Sequence, residues 1–417
     1  MKILVVGSGA REHAICWKLN QSSRVSEIFC APGNAGISQI AKCISISADS
    51  LNELVDFSVS NSVDLVVIGP EGPLVGGLAD MLTEKNIKVF GPCKKGAKLE
   101  GSKSFSKDFM KKYNIPTAKY ESYTDFNEAL KGLEKFNLPL VVKADGLAAG
   151  KGVLICQTKQ EAEDAINSIM TEKQFGDAGS KIVVEEFLEG TEASLLCFVD
   201  GKSIIPMESA RDYKKAYDCD MGLNTGGMGC FSPNNIYTEE LKKYISENIL
   251  EKTLHGLKNE NIDFKGVLFI GLMVNNNEAK VLEYNTRFGD PETEVVLPRL
   301  KSDLAAVMLK CIDGNLKEED LQWYKESCVT VVLASGGYPE SYEKGKEVTG
   351  LTDFGGDIIV FHGGTKLKDG KVVTDGGRVL AVTAMGQTLK EAREKIYGNI
   401  SRIHFEKMQF RKDIADQ

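Results

Sequence analysis

The chain has 417 residues, beyond the ~250–300 at which a single hydrophobic core stops growing, so several domains or substantial subdomains are expected. A formal charge of −8 disfavours nucleic acid and anionic membranes as partners and leaves room for a local basic pocket that takes small anions. The longest apolar runs, such as residues 266–274, are too short to span a bilayer, and the first residues run directly into a strand, so neither a membrane segment nor a signal peptide is expected.

The ten cysteines are scattered, with no Cys-x-x-Cys pair and no histidine at ligand spacing. That argues against zinc and against a disulfide framework, and they read as reduced thiols of the cytoplasm. Only His13, His255, His362 and His404 are available for imidazole acid–base chemistry, and His13, inside an amphipathic helix, reads as structural.

In chain order, Lys2-Ile-Leu-Val-Val-Gly-Ser-Gly-Ala-Arg-Glu-His-Ala14 is an apolar strand, a glycine turn and a helix start. Such a geometry aims backbone N–H groups and a helix dipole at an anion such as a phosphate. The dinucleotide fingerprint needs a third small residue where Glu12 stands, so Gly7-x-Gly9 is an incomplete signal for a nicotinamide cofactor. Further strand-like runs at 28–30, 65–68 and 89–90 end in Pro/Gly loops, with helical stretches between them. This βαβ pattern binds ligands at the carboxyl ends of its strands, which places Asn34 and Glu71 for contact; the same clusters also fit plain turns.

A helix is expected to begin near Ser102, with Phe105, Phe109, Met110 and Tyr113 on its apolar face. Lys103 and Lys107 lie off that face and read as solvated. Residues 138–156 are two strand-like runs joined by a loop of small residues carrying Lys143 and Lys151. The loop is too short for a Walker A motif and enters a strand rather than a helix. A glycine-rich loop between strands can fold over phosphates, although a plain hairpin loop has the same composition. The next strand ends in Glu185-Glu-Phe-Leu188, suited to an adenine edge, and Glu192 could hold ribose hydroxyls. Residues 210–229 are too polar and too rich in glycine for a core element and too long for a tight turn, as functional loops are.

A helix is expected over 238–259, strands over 267–274 and 281–285, and a helix near 302–312. A final block from about residue 325 has strands at 329–334, 358–362 and 379–383 and a helix from 389. Asp369-Gly370 and Asp375-Gly-Gly377 mark tight hairpin turns there. With no phosphate or metal signal of its own, this block reads as packing that covers the site. Within Val281-Leu-Glu-Tyr-Asn-Thr-Arg-Phe-Gly-Asp-Pro-Glu-Thr-Glu294, Glu283, Asn285 and Arg287 fall on one side of a strand. A carboxylate beside an amide oxygen suits Mg2+, which takes its other ligands from phosphates and water; an exposed polar strand edge gives the same alternation.

Four ordered motifs carry a resemblance: Leu99-Glu-Gly-Ser-Lys-Ser-Phe-Ser-Lys-Asp-Phe-Met110, Val142-Lys-Ala-Asp-Gly-Leu-Ala-Ala-Gly-Lys-Gly-Val153, Asn224-Thr-Gly-Gly-Met-Gly229 and Arg287-Phe-Gly-Asp-Pro-Glu292. Together they resemble the phosphoribosylamine–glycine ligase family, ATP-grasp enzymes of purine biosynthesis, over essentially the whole chain. The resemblance implies an α/β protein with an α+β centre. Its parts would be an amino-terminal open parallel α/β domain for the substrate phosphate (1–100), an ATP-grasp domain (101–325) with a flap subdomain at about 118–190, and a small carboxy-terminal α+β domain (326–417).

The implied activity joins glycine to 5-phosphoribosylamine with ATP through a glycyl phosphate. Glu283 and Asn285 would be the Mg2+ ligands, with Mn2+ as an alternative metal. Lys103, Lys143, Lys151, Glu185, Leu188 and Glu192 would bind ATP. Arg287, Lys151 and Asp290 would lie where substrate and transferring phosphoryl meet, and Gly9, Asn34, Glu71, Asp212, Gly226 and Arg287 would contact substrate. A cytoplasmic monomer is implied, with no nucleic-acid or membrane partner. Two departures stand out. The strand Phe269-Ile-Gly-Leu-Met273 offers no second metal carboxylate, and Asp218-Cys-Asp-Met-Gly-Leu223 differs at three positions from the family's Asp-Gly-Asp-Thr-Gly-Pro. Another ATP-grasp carboxylate–amine ligase and a non-catalytic ATP-binding module are the competing readings.

Overall fold

The computed structural model describes residues 1–148, 152–352 and 354–416. Its first sheet is parallel, in the order Lys42–Cys43, Glu27–Pro32, Lys2–Gly7, Leu65–Ile68 and Lys88–Phe90. Alternate residues of these strands feed two separate cores. Leu4, Val6, Val66 and Ile68 pack among helices of the same region, whereas Ile3, Val5, Leu65 and Val67 join Phe198, Val295, Val332 and Phe361 from later in the chain. A strand buried on both faces has to read as the continuous apolar run seen in the sequence.

Two antiparallel sheets make the middle. One runs Ile204–Pro206, Thr191–Asp200, Lys265–Asn275, Glu278–Asn285. The helical stretch Glu239–Ile245, Ser246–Leu250 and Glu251–Asn259 lays Leu241, Ile245 and Ile249 against Leu268, Ile270 and Leu272 of that sheet. The other sheet runs Tyr120–Tyr123, Ile182–Glu186, Leu140–Ala144, Val153–Cys156, and has a small core of its own. The small-residue loop joins its last two antiparallel strands; Lys151 within it lies outside the described residues.

The last sheet differs from expectation. Its order is Arg211–Asp212, Gly229–Ser232, Ser327–Ala334, Arg378–Gly386, Ile358–His362, so one of its strands lies within the segment that reads as a functional loop and a second begins at that segment's last residue. Gly229–Ser232 is only four residues long and pairs with a strand about a hundred residues away, which local patterning cannot register. Asp369-Gly370 does turn a hairpin, with φ of 52° and 76° at its two central residues. Asp375–Gly377 instead hands the chain from that ribbon to the large sheet, because its flanking strands belong to different sheets.

Other local differences have simple causes. A helix at Lys94–Gly101 precedes the expected one, which runs Lys103–Lys112 with the Ser102 hydroxyl accepting from Phe105 N at 3.2 Å. Lys107, expected in solvent, is fully buried, because its face of the helix is covered by the strands at 182–186 and 278–285. The last sheet docks on the first through His13, whose Nδ1 accepts from His362 N at 2.8 Å, and through Asn34, which donates to His362 O at 2.6 Å. All ten cysteines are free thiols, with only Cys43 and Cys219 exposed. Among the described residues no helix is long and apolar enough to cross a membrane.

Candidate active site

The strand Glu278–Asn285 lines the space between the two antiparallel sheets. Burial alternates along it as far as Val281, a register shift intervenes at Leu282, and from there Tyr284 is buried in the core while Glu283, Asn285 and, beyond the strand, Arg287 are half-buried. Asn285 Nδ2 donates to Glu283 Oε1 at 3.3 Å, so the amide and carboxylate stand side by side. Burial works to raise the Glu283 carboxyl, yet Lys214, Lys143 and Lys103 together pull it below its ordinary value. Three ammonium groups around one ionised carboxylate make a pocket built for anions. One carboxylate and one amide oxygen fit a hard cation that completes its shell from phosphates and water. Among the described residues there is no cluster of three or more His, Cys, Asp or Glu that could hold a metal by itself.

Lys103 is placed by the loop opposite. Its N–H donates to Asp145 O at 2.9 Å and its Nζ to Gly146 O at 3.0 Å, while the Asp145 carboxylate accepts from Ser104 N at 2.5 Å. Asp145 thereby caps the helix Lys103–Lys112 and anchors one end of the glycine-rich loop to it. Lys143 reaches Glu185 Oε2 at 3.0 Å. Leu188 is half-buried in the connection after strand Ile182–Glu186, and the exposed Glu192 pairs with Lys214 at 2.7 Å. Lys103, Lys143 and, through Lys214, Glu192 thus surround the Glu283–Asn285 pair, with Glu185 held by Lys143.

A second group lies where the first and last sheets meet. A cavity of about 210 Å3 is lined by Ser8, Gly9, Ala10, Asp290, Gly363, Gly364 and Arg378, among others. Glu12, the residue that interrupts the dinucleotide fingerprint, lies beneath this cavity. Its carboxylate accepts from Gly9 N at 2.6 Å and fills the space that a Cβ on Gly7 or Gly69 would need. Arg378 donates to Gly226 O at 2.7 Å and pairs with Asp290 at 2.9 Å. A Cβ on Gly226 would lie 2.8 Å from the Arg378 guanidinium carbon, so only glycine lets the loop approach.

Sequence reasoning missed Arg378, because a lone arginine beginning a strand carries no local signal; its neighbours Gly376 and Gly377 read only as a turn. Asn34 is fully engaged, donating to Ser8 O at 2.8 Å and His362 O and accepting from Gly36 N and Ile37 N at 2.9 Å. Glu71 accepts from Arg287 Nε at 3.0 Å, and Glu100 holds the same guanidinium at 2.9 Å. Asp212 sits by the Gly226–Gly227 turn with Oδ1 buried and unpartnered, and burial, with Glu292 beside it, pushes its carboxyl well up.

Two antiparallel sheets closing on a carboxylate–amide pair ringed by lysines define an ATP-grasp enzyme. The chain belongs to the phosphoribosylglycinamide synthetase family, whose N domain matches residues 1–100, whose ATP-grasp (A) domain matches 101–293 and whose C domain matches 328–417. It is 49% identical over 415 residues to the phosphoribosylamine–glycine ligase of Clostridium acetobutylicum, covering 100% of this chain and 99% of that one. To the enzyme of the same name from Haemophilus influenzae it is 45% identical over 419 residues, covering 100% and 98%. The crystal structure of phosphoribosylamine–glycine ligase from Thermotoga maritima superposes with a TM-score of 0.88 at 36% identity, covering 99% of this chain and 100% of that one. The biotin carboxylase domain of Hydrogenobacter thermophilus 2-oxoglutarate carboxylase, at 16% identity and a TM-score of 0.75 over 98% of this chain and 91% of that one, shares the fold alone.

Proposed function

We propose that this chain is an ATP-dependent ligase that joins glycine to 5-phosphoribosylamine, giving glycinamide ribonucleotide, ADP and phosphate. The observation that carries this reading is the convergence of Lys103, Lys143 and Lys214 on Glu283 in a chain that matches the family in all three of its parts. A carboxylate oxygen of glycine attacks the γ-phosphorus of ATP, the bond from that phosphorus to the β,γ-bridging oxygen breaks, and ADP leaves with the electron pair. The amine of phosphoribosylamine then attacks the carbonyl carbon of glycyl phosphate. The carbon–oxygen bond to phosphate breaks, the nitrogen loses its proton, and the amide and inorganic phosphate remain. In-line phosphoryl transfer depends on positioning and charge neutralisation, which suits a cleft of lysines and carboxylates.

Glu283 and Asn285 would hold Mg2+, with Mn2+ as a substitute, and an ion there would supply neutralisation of phosphate charge. Lys103 and Lys143, with Lys151 from the loop, bind the phosphates. Glu185 and Leu188 take the adenine, and Glu192 takes the ribose hydroxyls. Asp290 and Arg287 lie where the glycine carboxylate meets the transferring phosphoryl, and Asp212 takes the glycine ammonium beside Gly226. The sugar phosphate occupies the cavity at Gly9, with Arg378 as its cation. Asn34 and Glu71 act one step back: the first braces the cavity wall, and the second holds Arg287. The functional division is 1–100, 101–325 with a flap subdomain at about 118–190, and 326–417, in a cytoplasmic monomer. ADP release tests the reading: it should require glycine and phosphoribosylamine together, and turnover independent of glycine removes it.

A further inference from the structure

The helix Lys103–Lys112 carries a lysine that the site as described does not use. Lys107 is as buried as the apolar core, where an ammonium group persists only if its donors are met. Its Nζ lies 2.9 Å from Glu185 Oε2 and donates to Thr117 Oγ1 at 2.7 Å. Thr117 gives its own proton to Val281 O at 2.6 Å, which turns the hydroxyl oxygen toward Lys107 as an acceptor. Lys143 approaches the same oxygen, Glu185 Oε2, at 3.0 Å. The arrangement is lopsided. Two ammonium groups converge on Oε2 while Oε1 of the same carboxylate is buried without a partner. A buried acceptor with no partner in the protein marks the place of a donor that arrives with a ligand.

We propose that Lys107 is a positioning residue of the nucleotide site: it pins Glu185 through Oε2, so that Oε1 faces the exocyclic amine of a 6-aminopurine and selects ATP over 6-oxopurine nucleotides. This rests on the assignment of the Glu185–Leu188 stretch to the adenosine. The amine of adenine donates a hydrogen bond, whereas the 6-oxo group of hypoxanthine presents a second acceptor with no proton between it and the carboxylate. A site that holds a fixed buried acceptor rejects the analogue lacking the donor. Without its pin, the Glu185 side chain has other rotamers, and the orientation that makes the distinction is lost.

The groups facing Lys107 are Glu185 from strand Ile182–Glu186, Lys143 from strand Leu140–Ala144 and Glu283 from strand Glu278–Asn285. Burial lowers Lys107 to about 8, with Glu185 opposing the shift and Lys143 adding to it. Its charge, and the grip on Glu185, therefore weaken as pH rises through that value.

Calorimetric titration of the full chain with Mg-ATP and with Mg-ITP, without glycine or phosphoribosylamine, reads the effect independently of catalysis. Lys107→Met keeps the length of the side chain and removes its charge. It should weaken ATP binding about tenfold while leaving ITP binding within about twofold, the loss of one charge-assisted contact. Glu185→Gln should narrow the ATP-to-ITP ratio as well, and the double variant should narrow it no further, because the two residues act as one unit. A ratio that Lys107→Met leaves unchanged makes Lys107 a packing group and overturns the proposal. Equal affinity of the wild type for ATP and ITP overturns it whatever the ligase assay gives.

Discussion

Arg378 pairs with Asp290 at 2.9 Å, joining the first residue of a strand in the last sheet to the Gly289-Asp290-Pro291 turn beside the nucleotide cleft. The carboxy-terminal region therefore does more than cover the site. It places a guanidinium in the cavity at Gly9, within reach of whatever anion enters there.

Replacing Arg378 by Met should raise the KM for phosphoribosylamine about ten- to a hundredfold, since one charge-assisted hydrogen bond is worth about 1.5–3 kcal/mol. The KM for ATP should change little, because the proposed nucleotide site lies between the other two sheets. Steady-state kinetics with each substrate varied in turn checks this, and equal rises in both constants would mean that Arg378 acts on the whole cleft.

Glu283→Gln should keep the fold and raise the Mg2+ concentration needed for half-maximal activity at least about tenfold, as losing even an outer partner of a metal costs 10–100-fold. A neutral amide supplies an oxygen without the charge that holds a hard cation. Wild-type turnover at limiting Mg2+ would remove Glu283 from the metal site.

Gly9→Val separates the two substrate sites. A Cβ there would stand 2.9 Å from Glu12 Oε2 and 3.5 Å from Asp290 Oδ2. The added bulk should raise the KM for phosphoribosylamine by about a hundredfold, the usual cost of a misplacement near 1 Å. Calorimetry should find ATP binding nearly intact, and a collapse of ATP affinity would contradict the division.

How much of this was legible beforehand depended on how local each signal is. Strand alternation put Glu283 and Asn285 on one face, and the parallel sheet announced itself through continuous apolar runs such as 65–68. Lys107 and Lys103 look alike in sequence, both off the apolar stripe of one helix, yet one is buried because a second sheet covers its side. The strands Arg211–Asp212 and Gly229–Ser232 are too short to show a period, and their partner lies far along the chain. Arg378 has no motif at all; only the approach of Gly226 and Asp290 gives it a role.

The joint between the first and last sheets should be sensitive to acid. Burial, with His362 beside it, lowers His13 to about 3, and burial lowers His362 to about 4. Both are neutral in the fold, where His13 Nδ1 serves as an acceptor. The unfolded chain binds these protons near pH 6.5, so the stability they contribute is complete above that pH and is lost as pH falls toward 4, at up to about 1.4 kcal/mol per pH unit for each histidine. Thermal unfolding from pH 7 to pH 4.5 should show the loss, and His13→Gln should make it shallower. An unchanged slope in that variant would place the acid sensitivity elsewhere.

The central claim is that glycine is activated as an acyl phosphate before the amine attacks. Glycine labelled with oxygen-18 in its carboxylate, turned over with ATP and phosphoribosylamine, should deliver one labelled oxygen to inorganic phosphate and keep the other in the amide of the product. Unlabelled phosphate released alongside the amide would contradict it.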